Sequence, residues 1–282
     1  MALIDCVDLT HTYLRDTPME AVALRGVTLR IEEGEFVGII GPTGSGKSTL
    51  IQHFNGLLRP TTGSLHVAGL DLTNPRADLR QLRRQIGLLF QYPEDQLFEE
   101  TVAKDVAFGP HNLELPEAEV AARVDQALRL VGLDPAQVGP HSPFALSGGE
   151  MRRVAIAGVL AMEPRVLVLD EPAAGLDPRG KEEILGQIRT LHAREKLTVI
   201  LVTHSMDEAA QLVQRLVVMD QGAVVMDGPV REIFRRADEL VALGLGIPRI
   251  TELLVRLHRR GVLARTDALT VDEATAAILE VL

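Results

Sequence analysis

Aromatic residues and cysteine are scarce in this chain: no tryptophan, two tyrosines, seven phenylalanines and one cysteine in 282 residues. A single cysteine excludes an internal disulfide. Cys6 stands in an apolar, strand-like stretch with no histidine motif beside it, which marks a packed small hydrophobe rather than a nucleophile. Positive charge is also short, with 29 Lys and Arg against 39 Asp and Glu, a formal net charge of -10. That sign argues against nucleic acid as main partner and against electrostatic docking on anionic lipid. The one basic cluster, Arg76, Arg80, Arg83 and Arg84, reads as a solvated helix face. No apolar run reaches the ~18–20 residues needed to cross a bilayer, so no direct membrane insertion is expected. Asp5 and Asp8 interrupt the early apolar residues, so no signal peptide is expected either. Repeats and low-complexity tracts are lacking. The remaining composition, 46% hydrophobic and 24% charged, suits one large domain, or a domain plus an extension, with a substantial core.

Glycine is placed where chemistry would need it. Gly41-Pro42-Thr43-Gly44-Ser45-Gly46-Lys47-Ser48-Thr49 fits the phosphate-binding pattern G-x-x-x-x-G-K-[ST]. The apolar run Phe36–Ile40 precedes it as a strand. Leu50, Ile51, Phe54 and Leu57 follow at helical spacing. Strand, glycine turn and helix start make a cup of backbone N–H groups backed by the positive end of a helix dipole. Lys47 would reach the β- and γ-phosphates of a nucleotide, and the Ser48 hydroxyl would hold Mg²⁺.

Further along, residues 3–10 and 22–31 read as strands, with Tyr13 in the loop between them as a ring that could stack on a base. Ser64 to Ala68 and Ile86 to Phe90 read as short strands, the second ending in Gln91. Helical character dominates about 101–162, apart from loops near Pro110 and at 139–143; Pro116 opens an amphipathic helix carrying Val120, Val124, Leu128 and Val131. Leu146-Ser147-Gly148-Gly149-Glu150 is a second glycine turn at a second helix start. It is either a second anion site or simply a helix capped by Ser147. Val166–Leu169 reads as a buried parallel strand ending in Asp170 and Glu171. Ligands of doubly wound sheets bind at such strand ends. Asp170 suits Mg²⁺ and Glu171 would face the γ-phosphate as water-orienting residue or base. A helix at 181–195 leads to a buried strand, Thr198–Val202, followed by His204. Leu216–Met219 and Ala223–Met226 form a hairpin, and residues after 228 turn helical at 229–236, 249–260 and 271–281. Thr270 to Glu273 reads as a capping box.

Together these motifs resemble the ATP-binding cassette (ABC) ATPases over roughly residues 1–228. Gly41–Thr49 matches the family's Walker A loop, Val166–Asp170 is similar to Walker B, and Leu146–Glu150 is similar to the family signature. Gln91 sits where the Q-loop glutamine belongs, Ala174-Gly175-Leu176-Asp177 resembles the D-loop, and His204 the switch histidine. Tyr13 falls where the family places its adenine-stacking aromatic. Phe90–Phe98, Asp105–Pro110 and Met151–Gly158 further resemble the ATPase subunits of energy-coupling factor (ECF) importers of vitamins or cobalt and nickel ions, and more closely the second of their two paralogues.

The resemblance implies an α/β phosphate-loop NTPase core with an antiparallel β subdomain, a helical signature subdomain at about 92–162, and a C-terminal helical extension at 229–282. It implies ATP and Mg²⁺ as cofactors. Tyr13, Gly41–Thr49, Gln91, Ser147, Gly148 and Gly149 would contact the nucleotide. Ser48, Gln91 and Asp170 would serve the metal, and Glu171, His204 and Lys47 would be catalytic. Implied partners are a second ATPase subunit (a paralogue or a second copy), a transmembrane coupling subunit and a membrane-embedded substrate-binding subunit, which places the chain on the cytoplasmic face of the cell membrane. Two residues depart from the pattern: Glu150 where the signature ends in Gln, and Ala173 where Ser or Thr is common. The competing readings are a soluble ABC protein acting on ribosomes or DNA, a phosphate-loop kinase, and a partner that binds ATP without hydrolysing it.

Overall fold

The structure, a computed structural model, describes residues 2–263 and 266–280. Its strands are β1 (Ala2–Tyr13), β2 (Ala21–Glu32), β3 (Phe36–Ile40), β4 (Thr62–Val67), β5 (Leu70–Asp71), β6 (Ile86–Leu89), β7 (Val166–Asp170), β8 (Thr198–Val202), β9 (Arg215–Asp220) and β10 (Ala223–Pro229). They form an antiparallel four-stranded sheet, β2-β1-β4-β5, and a six-stranded sheet, β10-β9-β3-β8-β7-β6. The larger sheet is parallel except for β10, which pairs antiparallel with β9 at the edge.

Strands β3, β7 and β8 are buried along their whole length, which explains why they read as unbroken apolar runs. Alternate residues serve different cores. Leu167, Leu169, Val199 and Leu201 face the large helical side. Val166, Val168, Ile200 and Val202 face the layer shared with the smaller sheet. Because β8 lies between β3 and β7, the loops leaving all three open on one edge.

The helices are α1 (Lys47–Phe54), α2 (Leu79–Gln85), α3 (Val102–Asn112), α4 (Glu117–Leu130), α5 (Pro135–Val138), α6 (Gly148–Leu160), α7 (Pro178–Glu195), α8 (Met206–Leu212), α9 (Val230–Arg235), α10 (Ala237–Ala242), α11 (Arg249–Arg259) and α12 (Val271–Leu279). Helices α3, α4 and α6 pack on one another through Val106, Val120, Val124, Leu128 and Val154. At the C-terminal end, Leu254, Leu263, Ala268 and Ala274 form a separate small core. Arg231 pairs with Glu273, and Arg235 pairs with Asp267 at 2.8 Å, tying that core to α9. Among the described residues no helix is long and apolar enough to cross a membrane.

Several expectations are corrected. Tyr13 closes β1, paired with Ala21, rather than sitting in a loop. Leu57 lies beyond the end of α1 and is exposed, because Gly56 at φ 70 breaks the helical path. Pro110 lies inside α3 rather than in a loop, near its C-terminal end. Helix α7 starts at Pro178 because Asp177 caps it. Helices α8 and α10 lacked a clear apolar period. At α12 the Thr270 cap is present, while Glu273 takes the Leu269 N–H and pairs with Arg231; residue 281 lies outside the described residues.

Candidate active site

The phosphate-loop glycines are required first by the loop's own packing. A Cβ on Gly41 would lie 2.2 Å from the Met219 carbonyl oxygen, and one on Gly46, at φ 97, would lie 2.6 Å from that of Ala23. With that path fixed, α1 begins at Lys47. The Lys47 ammonium donates to the carbonyls of Gly41 (2.8 Å) and Pro42 (2.9 Å). Burial pushes its pKa below the usual lysine range, opposed by the nearby carboxylates of Glu171 and Asp170.

Across the cleft, Ser48 Oγ donates to Asp170 Oδ2 at 3.2 Å. Burial raises the Asp170 carboxyl above its ordinary range, partly offset by the Ser48 hydrogen bond. Glu171 takes a left-handed backbone at φ 49, and its N–H donates to the Val202 carbonyl at 2.9 Å. That turn aims its side chain between two groups from neighbouring strand ends. His204 Nε2 lies 2.9 Å from Oε1, and Gln91 Nε2 donates to Oε2 at 3.3 Å. Thr43, Gly44, Gly46, Lys47, Ser48, Thr49, Gln91, Asp170, Glu171 and His204 thus line one cleft of about 280 Å³. No cluster of three or more His, Cys, Asp or Glu among the described residues could hold a metal by itself. A hydroxyl and a desolvated carboxylate side by side do fit a hard cation that completes its shell with phosphate oxygens and water.

Tyr13 borders this cleft through Thr49, its Oη lying 3.2 Å from Thr49 Oγ1. Behind it stands a histidine pair that sequence reasoning missed. The His11 ring packs edge-on against Tyr13, centroids 4.5 Å apart at 77°. His53 Nδ1 lies 2.7 Å from the Thr49 carbonyl and Nε2 lies 3.2 Å from His11 Nδ1. Thr49 O can only accept, so His53 carries its proton on Nδ1 and its Nε2 accepts from His11 Nδ1–H, which also faces the Arg59 carbonyl at 3.1 Å. Burial, with His11 adding to it, pushes His53 down to about 4. The available signal was His53 four residues after Thr49 on one helix face.

Ser147, Gly148 and Gly149 do not join the cleft. They form the N-terminus of α6 with a full capping box: Ser147 N–H and Oγ–H donate to Glu150 Oε2 at 3.0 and 2.6 Å, and Glu150 N–H donates to Ser147 Oγ at 3.4 Å. Those bonds hold the Glu150 carboxyl below its usual range. A Cβ on Gly148 or Gly149 would meet nothing within 4 Å, and neither has a positive φ. The subunit's own fold therefore does not demand glycine at either position. Ala173 is buried, which suits its methyl group.

A larger cavity of about 700 Å³ lies elsewhere, between α2, α3 and α6. Leu97, Phe98 and Phe108 give it an apolar wall, the two rings edge-to-face at 4.9 Å. Arg80, Arg83 and Arg84 rim it. Arg80 and Arg84 donate to the Asn112 and Leu113 carbonyls at the end of α3. The arginines are exposed, as expected, yet they border a groove rather than open water.

Residues 24–174 match the ABC transporter family. The chain is 57% identical over 274 residues to the energy-coupling factor transporter ATP-binding protein EcfA2 of Symbiobacterium thermophilum, covering 97% of this chain and 94% of that protein. It is 48% identical over 275 residues to the protein of the same name from Clostridium perfringens, covering 98% and 96%. Among solved structures it is similar to cbiO1 of Clostridium perfringens, part of the ABC transporter complex cbiONQ, at 37% identity and a TM-score of 0.77, covering 92% of this chain and 97% of that one. It is also similar to the ATP-binding cassette MJ0796 in a dimeric post-hydrolysis state bound to ADP and Pi, at 30% identity and a TM-score of 0.71, covering 80% and 98%.

Proposed function

Because this chain belongs to the ABC transporter family and is an ATPase, we propose that it energises an energy-coupling factor import complex for vitamins or transition-metal ions. One observation supports the reading: the phosphate-loop cleft does not include Ser147, Gly148 or Gly149, which start α6 elsewhere. The cleft supplies phosphate-binding groups. The α6 N-terminus offers the Ser147 hydroxyl that caps it and two glycines at which a side chain would meet nothing within 4 Å. Two ATPase subunits meeting head to tail would set the signature turn of one over the cleft of the other, with ATP between them. A helix N-terminus facing the γ-phosphate neutralises part of its charge.

Within the cleft, Lys47 releases the carbonyls of Gly41 and Pro42 and turns to the β- and γ-phosphates. Ser48 and Asp170, with Gln91 in the same cleft, would hold Mg²⁺. The cation supplies charge neutralisation as the terminal phosphoryl group departs. Glu171, steadied by His204 and Gln91, orients the attacking water and draws on its proton. His204 would contact the γ-phosphate. Phosphoryl transfer depends on positioning and field more than on covalent chemistry, so no enzyme nucleophile is required. Tyr13 stacks on the adenine.

The partners in this reading are a second ATPase subunit, a transmembrane coupling subunit and a membrane-embedded substrate-binding subunit, which puts the chain on the cytoplasmic face of the membrane. The apolar groove walled by Phe98 and Phe108 starts a few residues after Gln91 and suits the coupling subunit's helix. Residues 1–228 would act as the nucleotide-binding domain, with the helical subdomain at about 92–162, and 229–282 as an extension available to the second ATPase. The test is the assembled transporter in vesicles. Glu171→Gln should assemble normally and lose MgATP-driven uptake and phosphate release by about 100-fold or more. Unchanged uptake would reject the proposal.

A further inference from the structure

Arg152 is among the largest fully buried side chains of the chain, 2% exposed. It lies in the second turn of α6, five residues past Ser147. A guanidinium has five N–H donors and no acceptor, so burial requires a partner in every direction. Here each direction is met. Nε lies 3.2 Å from Glu94 Oε2, and Nη2 lies 2.9 and 3.0 Å from the two Glu94 oxygens. Nη1 donates to the carbonyls of Pro172 at 3.2 Å and Ala174 at 2.5 Å.

These partners belong to segments far apart in the sequence. Glu94 lies in the short turn Pro93–Gln96, three residues after Gln91, whose amide donates to Glu171. Pro172 and Ala174 bracket Ala173, immediately after Glu171. Arg152 itself rides on the helix whose first residues are the signature turn. Separating Arg152 from Glu94 would leave a buried charge without its carboxylate, so movement of one segment tends to draw the others with it.

We propose that Arg152 is a positioning residue that couples the two ATP sites of the working dimer. It ties the signature turn, which serves the partner's nucleotide, to Gln91 and Glu171, which serve the chain's own. This rests on the head-to-tail reading above. When the partner's ATP draws the α6 N-terminus toward it, Arg152 carries the movement to Glu94 and to the carbonyls beside Glu171. Each cleft then reaches its hydrolytic geometry only when the other is filled.

The experiment measures phosphate release against MgATP in the assembled transporter, and MgATP binding separately, for wild type, Arg152→Met, Arg152→Lys and Glu94→Gln. Met fills the volume without donors, and Lys keeps the charge without the fork. Glu94→Gln leaves the guanidinium its carbonyl partners and alters a side chain 26% exposed, so it remains informative should an Arg152 variant fail to fold. All variants that fold should bind MgATP within about twofold of wild type. Their kcat should fall about 10- to 100-fold, the scale of a small misplacement near the reacting atoms, and the Hill coefficient should drop toward 1. Wild-type kcat and Hill coefficient in Glu94→Gln would overturn the inference. So would equal losses of binding and turnover, or a wild type with a Hill coefficient of 1. Failure of the head-to-tail reading would show separately, as wild type that binds MgATP without pairing.

Discussion

Replacing His11 with alanine tests how the base would be held. His11 touches no phosphate-binding group; its contacts are Tyr13, His53 and the Arg59 carbonyl. Its edge-on contact with Tyr13, centroids 4.5 Å apart, is of a kind worth about 0.5–1.5 kcal/mol. If all of that supports the stacking ring, ATP affinity falls by roughly 2- to 12-fold. Tyr13→Ala removes the stack itself, worth about 1–3 kcal/mol, or roughly 5- to 160-fold. Inorganic tripolyphosphate has no base and relies on Lys47, Ser48 and the loop N–H groups alone. Calorimetric titration of the full chain with both ligands in the presence of Mg²⁺ should therefore show graded losses for ATP, Tyr13→Ala exceeding His11→Ala, with tripolyphosphate unchanged. Equal losses for the two ligands would refute the reasoning, since both substitutions would then be disturbing the loop rather than the base contact.

Other perturbations follow from the same geometry. Glu150→Gln removes a charge that would face the partner's triphosphate. It should tighten ATP-driven association in light-scattering titrations and cost the helix about 0.3–1 kcal/mol in thermal melts; weaker association would contradict it. His53 remains neutral in the folded chain down to about 4, whereas the unfolded chain takes up the proton near 6.5. Its contribution is complete above pH 6.5 and is lost as pH falls toward 4, by up to ~3 kcal/mol. A His53→Gln chain should accordingly lose less of its melting temperature between pH 7 and pH 5 than wild type does, and an equal loss would count against the histidine pair. Asp170 has its carboxyl raised by burial, so its ionised form costs stability, which declines as pH rises through that range. Asp170→Asn should melt ~2–4 °C higher than wild type at pH 7 for each kcal/mol relieved, without nucleotide; a lower midpoint would argue against that burial cost.

The larger part of the cleft was legible because its chemistry is tied to local pattern. Lys47 and Ser48 belong to a contiguous loop, and Asp170 and Glu171 end a strand whose apolar run announces burial on both faces. His204 was legible because it too follows a short buried strand, and a parallel sheet gathers such ends at one edge; Gln91 was legible only through the family resemblance. Residues that act across the fold were harder to find. His11 and His53 look like ordinary surface-strand and helix positions until β1 lies beside α1. Arg152 reads as one charge in an arginine pair, and only the fold reveals that Glu94, Pro172 and Ala174 surround it. The position of Tyr13 was missed by a few residues because β1 runs on past a bulged register. At Ser147 the sequence shows a helix cap, while the reach of Glu150 back to the Ser147 hydroxyl is visible only in the fold.

The most direct test of the two-half-site account is mass by light scattering of the Glu171→Gln chain, alone and mixed with a paralogous ATPase subunit, with and without MgATP. The account predicts that MgATP converts single subunits to pairs in at least one of the two samples, and that adding Ser147→Arg abolishes pairing while leaving ATP binding intact. A chain that binds MgATP and stays single in both samples would contradict the composite site, and a chain that binds no MgATP would contradict the cleft as well.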